Sequence, residues 1–164
     1  STSVAAGSTI DFIVNKIATN SNDMTSFNPT ITLLGAVGAV TNLSAAAAGA
    51  NSATLSFTEV SDGAGQPAKY DVRFSSSGTL WGQAPSVTQG TCASPLAGTT
   101  AGATKTCTVL GLSPAKAYQF QLVPFRGTMG AGAVFGSLSN VAGATTSAGA
   151  DVMPPAKPAN LRTP

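Results

Sequence analysis

The sequence predicts an all-β, seven-stranded sandwich with extended β segments at both ends of the chain. Segments in which apolar and polar residues alternate recur through residues 39–147, separated by turns rich in glycine, proline and asparagine. The clearest segment places Tyr118, Phe120 and Leu122 on one face of a strand and the residues between them on the other. A strand with one buried face needs a second layer to cover it, which indicates a sandwich.

The residues just before that strand carry a second signal. Leu112, Pro114 and Tyr118 have the spacing of a tyrosine corner, in which the tyrosine hydroxyl folds back onto upstream backbone and fixes a crossing between sheets. This pattern resembles the corresponding corner of a fibronectin type III domain. The alternative is an ordinary β-hairpin with a proline turn.

The other predicted elements follow the strand order of that family. Strands are expected at residues 39–44, 52–60, 70–75, 108–112, 118–125 and 135–142, with a glycine-rich loop at 126–132. In the second strand, Ala53, Leu55 and Phe57 should face the core, and Phe57 stands where the family usually has tryptophan. The resemblance therefore implies a fibronectin type III (immunoglobulin-like) domain over residues 39–147.

The region from Gly78 to Thr106 is longer than the family norm and contains Trp81 and Cys92. We expect a disulfide between Cys92 and Cys107 rather than two free thiols, which would imply an oxidising compartment. Closing a loop of this size would stabilise the domain by ~3 kcal/mol. Trp81 is a candidate contact residue, either as a platform for a sugar ring or as an anchor at a subunit contact, although we favour packing over the rim of the sandwich.

Residues 1–38 are predicted to be an incomplete domain or a source of donor strands. The candidate assembly residues alternate along two predicted strands: Ile10, Phe12, Val14, Ile31 and Leu33. Residues 7–12 and 27–31 resemble the last two strands of bacterial carbohydrate-active β-sandwich domains. Because two strands are not stable alone, we expect another subunit or a longer chain to complete them.

Residues 148–164 are predicted to be a proline-rich linker followed by the first strand of another module. Residues 154–161 contain the pattern Pro-x-x-Pro-x-Asn-Leu and resemble the opening of a type III domain, and their Asn160-Leu161 pair repeats Asn42-Leu43. A stretch of this composition favours an extended conformation.

The composition argues against several functions. Charged residues make up 9% of the chain, and its eight basic residues are scattered, so nucleic-acid binding is not expected. Histidine is absent from the sequence, which removes the usual catalytic triads. Glu59 and Asp62 are three residues apart, but we expect both to be solvated. The sequence has no apolar run long enough to be a transmembrane helix, and we predict no enzyme activity, cofactor or metal site.

Two functions remain for a chain expected outside the cell or at its surface. The first is a non-catalytic structural protein, a subunit of a filament, sheath or layer in which neighbouring copies exchange strands. The alternative is a spacer or glycan-binding accessory module of a secreted polysaccharide-degrading enzyme or adhesin. The expected partners are other copies of the chain or neighbouring domains, with polysaccharide as a further possibility.

Overall fold

The computed structural model describes residues 34–78 and 81–150. It contains the strands β1 (Ser44–Ala47), β2 (Ser52–Thr58), β3 (Lys69–Ser75), β4 (Leu96–Ala97), β5 (Thr104–Leu110), β6 (Ala117–Thr128), β7 (Ala131–Phe135) and β8 (Ala142–Thr145). Among the described residues no helix is long and apolar enough to cross a membrane. The predicted N-terminal strands up to residue 33 and residues 151–164 of the predicted C-terminal linker and strand lie outside the described residues.

The strands form two antiparallel sheets. The smaller sheet has the order β1-β2-β5, and the larger has the order β4-β3-β6-β7, with β8 also paired to β6. β7 pairs with the C-terminal part of β6 and β8 with its N-terminal part. Counted together as one interrupted closing strand, they give the seven strands of the predicted sandwich. One of the seven, β4, lies in the long region for which no strand bounds were predicted.

The core lies between the two sheets and follows the two-residue period of the strands. Ala53, Leu55 and Phe57 of β2 are buried, whereas the residues between them are half-buried. The Phe57 ring packs edge-on against Tyr70 of β3, with 4.8 Å between ring centroids. Phe120 of β6 closes the same core from the larger sheet.

The alternation in β6 ends halfway along the strand, because Leu122, Val123, Pro124 and Phe125 are all buried. Pro124 has no amide hydrogen, and the neighbouring Leu122 amide donates to the Ser139 hydroxyl oxygen at 3.0 Å instead of to a backbone carbonyl. The closing strand is therefore interrupted between β7 and β8. The single strand predicted at 135–142 and the loop predicted at 126–132 are both wrong, since most of that loop forms the β6–β7 hairpin.

The first strand spans Ser44–Ala47, so it shares only Ser44 with the strand predicted at residues 39–44. The preceding stretch is irregular but still contributes Val40 and Leu43 to the core. The Asn140 side chain accepts from the Leu43 amide at 2.9 Å and donates to the Leu43 carbonyl at 2.8 Å. The Asn140 side chain thus makes the hydrogen bonds to the Leu43 backbone that a neighbouring strand would otherwise make.

The long region between β3 and β5 is part of the core. Val87 and Cys92 are buried, and the Ser94 hydroxyl accepts from the Val72 amide at 2.7 Å. The structure joins Cys92 to Cys107 in a disulfide, with the two Cα atoms 5.1 Å apart. The region is therefore held by burial and hydrogen bonds as well as by the expected disulfide.

The Tyr118 hydroxyl accepts a hydrogen bond from the Ser113 amide at 2.9 Å, which is the geometry of a tyrosine corner. Leu112 is buried beneath it, and Pro114 is exposed. Burial alone would raise the pKa of Tyr118, but the Ser113 hydrogen bonds and the positive charge of Lys116 lower it below its ordinary value.

The chain enters and leaves the sandwich at opposite ends. At the entry, the Gly35 amide donates to the Gly63 carbonyl at 2.7 Å, close to the β6–β7 turn, and its carbonyl accepts from Arg126 at 2.7 Å. At the exit, the Ser147 amide donates to the Gly49 carbonyl at 3.1 Å, beside the tyrosine corner.

Candidate functional site

A groove lies on the outer face of the larger sheet, away from the core. Its floor is formed by Asp71 and Arg73 of β3 and Val123 of β6, which share the outer face because β3 and β6 pair in register. Its walls come from Phe135 of β7 and from flanking loops: Trp81, Met129, Gly136 and Leu138. The groove encloses about 300 Å³, mainly against apolar side chains.

Arg73 is held in the groove by several contacts at once. Its Nε donates to Asp71 Oδ2 at 2.9 Å, and its Nη1 donates to the carbonyl oxygens of Trp81 at 2.7 Å and Ala84 at 3.4 Å. The guanidinium carbon lies 4.6 Å from the Trp81 ring centroid, in cation–π contact. These contacts fix Trp81 as one wall of the groove.

Asp71 is fully buried although it belongs to the outer face. Its second carboxylate oxygen accepts from the Ser86 hydroxyl at 2.8 Å, so the long β3–β5 region covers it. A buried charge of this kind is tolerated only when it is paired and hydrogen-bonded, as it is here. Both oxygens of the Asp71 carboxylate therefore accept hydrogen bonds that hold Arg73 and Ser86 in place.

The free edge of β7 adjoins the groove. Within the described residues β7 pairs with β6 on one side only, so its other side is open. Val134 is 45% exposed and Phe135 is 52% exposed, and Leu138 and Val141 continue the exposed apolar surface beyond the strand. The strand contains none of the charges or prolines that commonly block such an edge.

A second pocket lies at the tyrosine-corner end of the same sheet. It encloses about 410 Å³ and is lined by Phe74, Tyr118, Lys116, Pro85 and a run of serines, among other residues. Lys116 is the one charged residue among the described residues of this lining, and its Nζ lies 5.9 Å from the Tyr118 ring centroid. These described residues contain no paired acid and base.

Glu59 is buried, and the expectation that it is solvated is wrong. It accepts from the backbone amides of Thr99 and Thr100 and forms an ion pair with Lys105 at 2.9 Å. Burial would raise the pKa of Glu59, but the Thr100 amide, the Lys105 ammonium and Thr99 together lower it below its ordinary value. Asp62 has a separate role, since its Oδ1 accepts from the Ala64 and Gln66 amides within its own loop.

The two carboxylates considered as a catalytic pair therefore serve separate structural purposes. Among the residues that the structure describes, no group of three or more His, Cys, Asp or Glu side chains is placed to hold a metal ion.

The structure describes only some of the predicted site residues. Cys92, Cys107 and the tyrosine corner serve the fold, and Trp81 lies in the groove, whereas the candidate assembly residues at positions 10, 12, 14, 31 and 33 lie outside the described residues. Sequence reasoning missed the groove itself. The available signal was Val123 and Phe125, two apolar residues at positions where β6 should show its polar face.

The geometry defines a disulfide-containing β-sandwich module with an apolar surface on one sheet. The family model of the fibronectin type III domain matches residues 38–133, and the chain belongs to this family. Members of the family are typically non-catalytic modules and are commonly extracellular. A comparison with curated proteins gives no match.

Two solved structures are similar to this chain at low sequence identity. The FN1–FN3 domains of chicken CNTN1 are 15% identical, with a TM-score of 0.47, over 68% of this chain and 33% of that chain. This chain thus spans about a third of that structure. The sensor domain of the anti-sigma factor RsgI4 from Pseudobacteroides cellulosolvens is 15% identical, with a TM-score of 0.39, over 73% of this chain and 99% of that chain.

Proposed function

We propose that the protein is a non-catalytic extracellular structural protein, a subunit of a surface filament, sheath or layer assembled by strand exchange. The observation that carries the proposal is the open edge of β7, with Val134 and Phe135 exposed on it. An edge strand presents unpaired backbone donors and acceptors, which are a template for a strand from another chain.

The donor in this proposal is the segment around Ile10, Phe12 and Val14, supported by Ile31 and Leu33. Its alternation gives one apolar face, as an added strand requires. If one copy donates this segment to β7 of the next, the contact is head-to-tail. A contact of that type generates a fibre when the rotation between copies does not close a ring.

The proposal is tested with Phe12→Asp, examined by electron microscopy and sedimentation of the full chain. We expect the variant to lose regular fibres, because it places a charge in the middle of the donated apolar face. The matched control is Asn15→Asp, which adds the same charge to the polar side of the segment and should assemble normally. Far-ultraviolet circular dichroism checks that the sandwich remains folded in both variants. Normal fibres from Phe12→Asp would show that this segment is not the donor.

The acceptor edge is tested separately with Val134→Lys. A lysine on an edge strand opposes strand addition at little cost to the fold. The variant should assemble poorly, while its free energy of unfolding stays near that of the wild type. Unchanged assembly would exclude β7 as the acceptor.

The second candidate function is a spacer or glycan-binding accessory module in a longer secreted enzyme or adhesin. It is favoured by the entry of the chain at Gly35 and its exit at Ser147, at opposite ends of the sandwich, because modules built this way can follow one another in line. The intact mass of the native protein separates the two candidates. A mass near 16.1 kDa together with fibres supports the filament, whereas a much larger polypeptide in discrete particles supports the spacer.

A further inference from the structure

The groove beside Trp81 differs chemically from the β7 edge. An added strand at the edge would be bound through backbone groups. The groove instead presents side chains, namely the aromatic rings of Trp81 and Phe135 and the apolar side chains of Met129 and Leu138. Sites of this kind bind an apolar ligand and orient it with a few polar groups.

The polar group available for orientation is the Arg73 guanidinium. Its Nε and Nη1 are occupied by Asp71, Trp81 and Ala84, whereas Nη2 has no hydrogen bond to any residue that the structure describes. The Arg73 side chain lines the groove and is 23% exposed, so the side chain as a whole is partly accessible to a ligand. Because Asp71 neutralises the guanidinium charge, the groove suits a neutral acceptor such as a peptide carbonyl.

A polyproline II segment has both an apolar surface and neutral hydrogen-bond acceptors. Its rings are apolar, and its backbone carbonyls make no internal hydrogen bonds, so they remain available to a donor. Proline-rich segments with the spacing Pro-x-x-Pro are bound in aromatic-lined grooves because they lose little entropy on binding. The chain contains one such segment at its C-terminal end, Pro154-Pro155-Ala156-Lys157-Pro158.

We propose that the Trp81 groove binds residues 154–158 of a second copy of this chain. The exit of the chain supports a second copy, because Ser147 leaves the sandwich beside Gly49, at the end opposite the β6–β7 turn that holds Met129. The last described residues continue in the direction of β8, past Lys116 and Pro114, and so run away from that turn. The contact goes beyond strand exchange and does not require it.

The test titrates a synthetic peptide of residues 151–160 into the full chain carrying Pro155→Ala and Pro158→Ala, in which its own segment is disabled. Trp81 is the one tryptophan of the sequence, so its fluorescence reports directly on the groove. We expect a saturable shift of the emission to shorter wavelength. The same peptide with both prolines replaced by alanine should bind at least ~10-fold more weakly, a loss of about 1.4 kcal/mol.

A matched pair of variants locates the binding surface. Leu138→Glu places a charge in the groove, and Leu110→Glu places the same charge on the smaller sheet, at residues that are 44% and 48% exposed. Binding should fall at least ~10-fold in the first variant and stay unchanged in the second. Equal effects of the two variants, equal binding of the alanine peptide or no saturation by the peptide would overturn the proposal. Saturation by an oligosaccharide with no response to the peptide would overturn it in favour of a sugar site.

Sedimentation of the wild-type chain distinguishes a second copy from the chain's own segment. Association that rises with concentration and is lost in the Pro155→Ala, Pro158→Ala chain supports the second copy. An emission shift in the wild-type chain that persists unchanged on dilution would overturn it, because the segment would then occupy its own groove. A Phe12→Asp chain carrying the two alanines should still bind the peptide, so failure of strand exchange and failure of this proposal are separable.

Discussion

The two faces of the larger sheet are built from neighbouring residues but have different properties. The inner face presents Tyr70 and Val72 of β3 and Phe120 and Leu122 of β6, with Val72 directly opposite Leu122, and all four are fully buried. The outer face presents Asp71 and Arg73 beside Val123, and its wall residue Phe135 is 52% exposed. Successive residues of the same strand therefore face either the closed core or the open groove.

This difference shows which apolar residues the fold needs. A residue enclosed on all sides contributes its full transfer free energy to folding, whereas a half-exposed one retains much of its contact with water. The inner face therefore stabilises the sandwich, and the outer face provides surface that a partner can bury. Substitutions on the two faces should separate stability from association.

The largest effect is expected for Phe120→Ala on the inner face. Removing a fully buried phenylalanine leaves a cavity in the core, which typically costs about 3–5 kcal/mol. Urea unfolding followed by circular dichroism measures this loss as a lower midpoint at unchanged slope. A loss below about 1 kcal/mol would mean that Phe120 does not support the core in the way its burial indicates.

A smaller effect is expected at Glu59, which closes the inner core at the end of β2. Its pKa is lowered in the folded state, so the carboxylate stabilises the fold at any pH above its ordinary pKa. This stability should be lost as the pH falls through the lowered pKa, because the folded state must then take up a proton. Midpoints of urea unfolding measured between about pH 2 and 7 follow this loss.

Glu59→Gln removes the charge but keeps the shape of the side chain. At pH 7 the variant should be less stable by about 2–4 kcal/mol, because Lys105 loses its partner in a largely buried position. Its stability should also change less with pH in the acid range than that of the wild type. Parallel acid profiles for the two proteins would show that Glu59 is not the group responsible.

The inner face could be predicted from the sequence, and the outer groove could not. Tyr118, Phe120 and Leu122 follow a two-residue period that any buried strand face shows, and Leu112 and Pro114 add a corner with its own spacing. The groove depends on side-chain contacts between different segments of the chain, such as Arg73 of β3 with Trp81 of the following loop and Phe125 of β6 with Phe135 of β7. Local patterns do not contain this information.

Two of the errors of sequence interpretation have the same cause. Glu59 looks like a loop acid, and only the fold brings Thr99, Thr100 and Lys105 around its carboxylate. The closing strand was predicted as continuous because Pro124 and Ser139, which interrupt its ladder, lie on different segments of the chain. Both errors involve hydrogen bonds between residues that are far apart in the sequence.

The smallest effect on stability is expected for Phe135→Ala, the outer-face counterpart of Phe120→Ala. The Phe135 ring packs against Phe125 with 5.6 Å between centroids, but half of its surface is already in water. The variant should lose no more than about 1 kcal/mol in urea unfolding, while both fibre formation and binding of the 151–160 peptide weaken. A stability loss as large as that of Phe120→Ala would show that the outer face is a second core rather than a contact surface. Unchanged stability with unchanged association would show that neither proposed partner uses this ring.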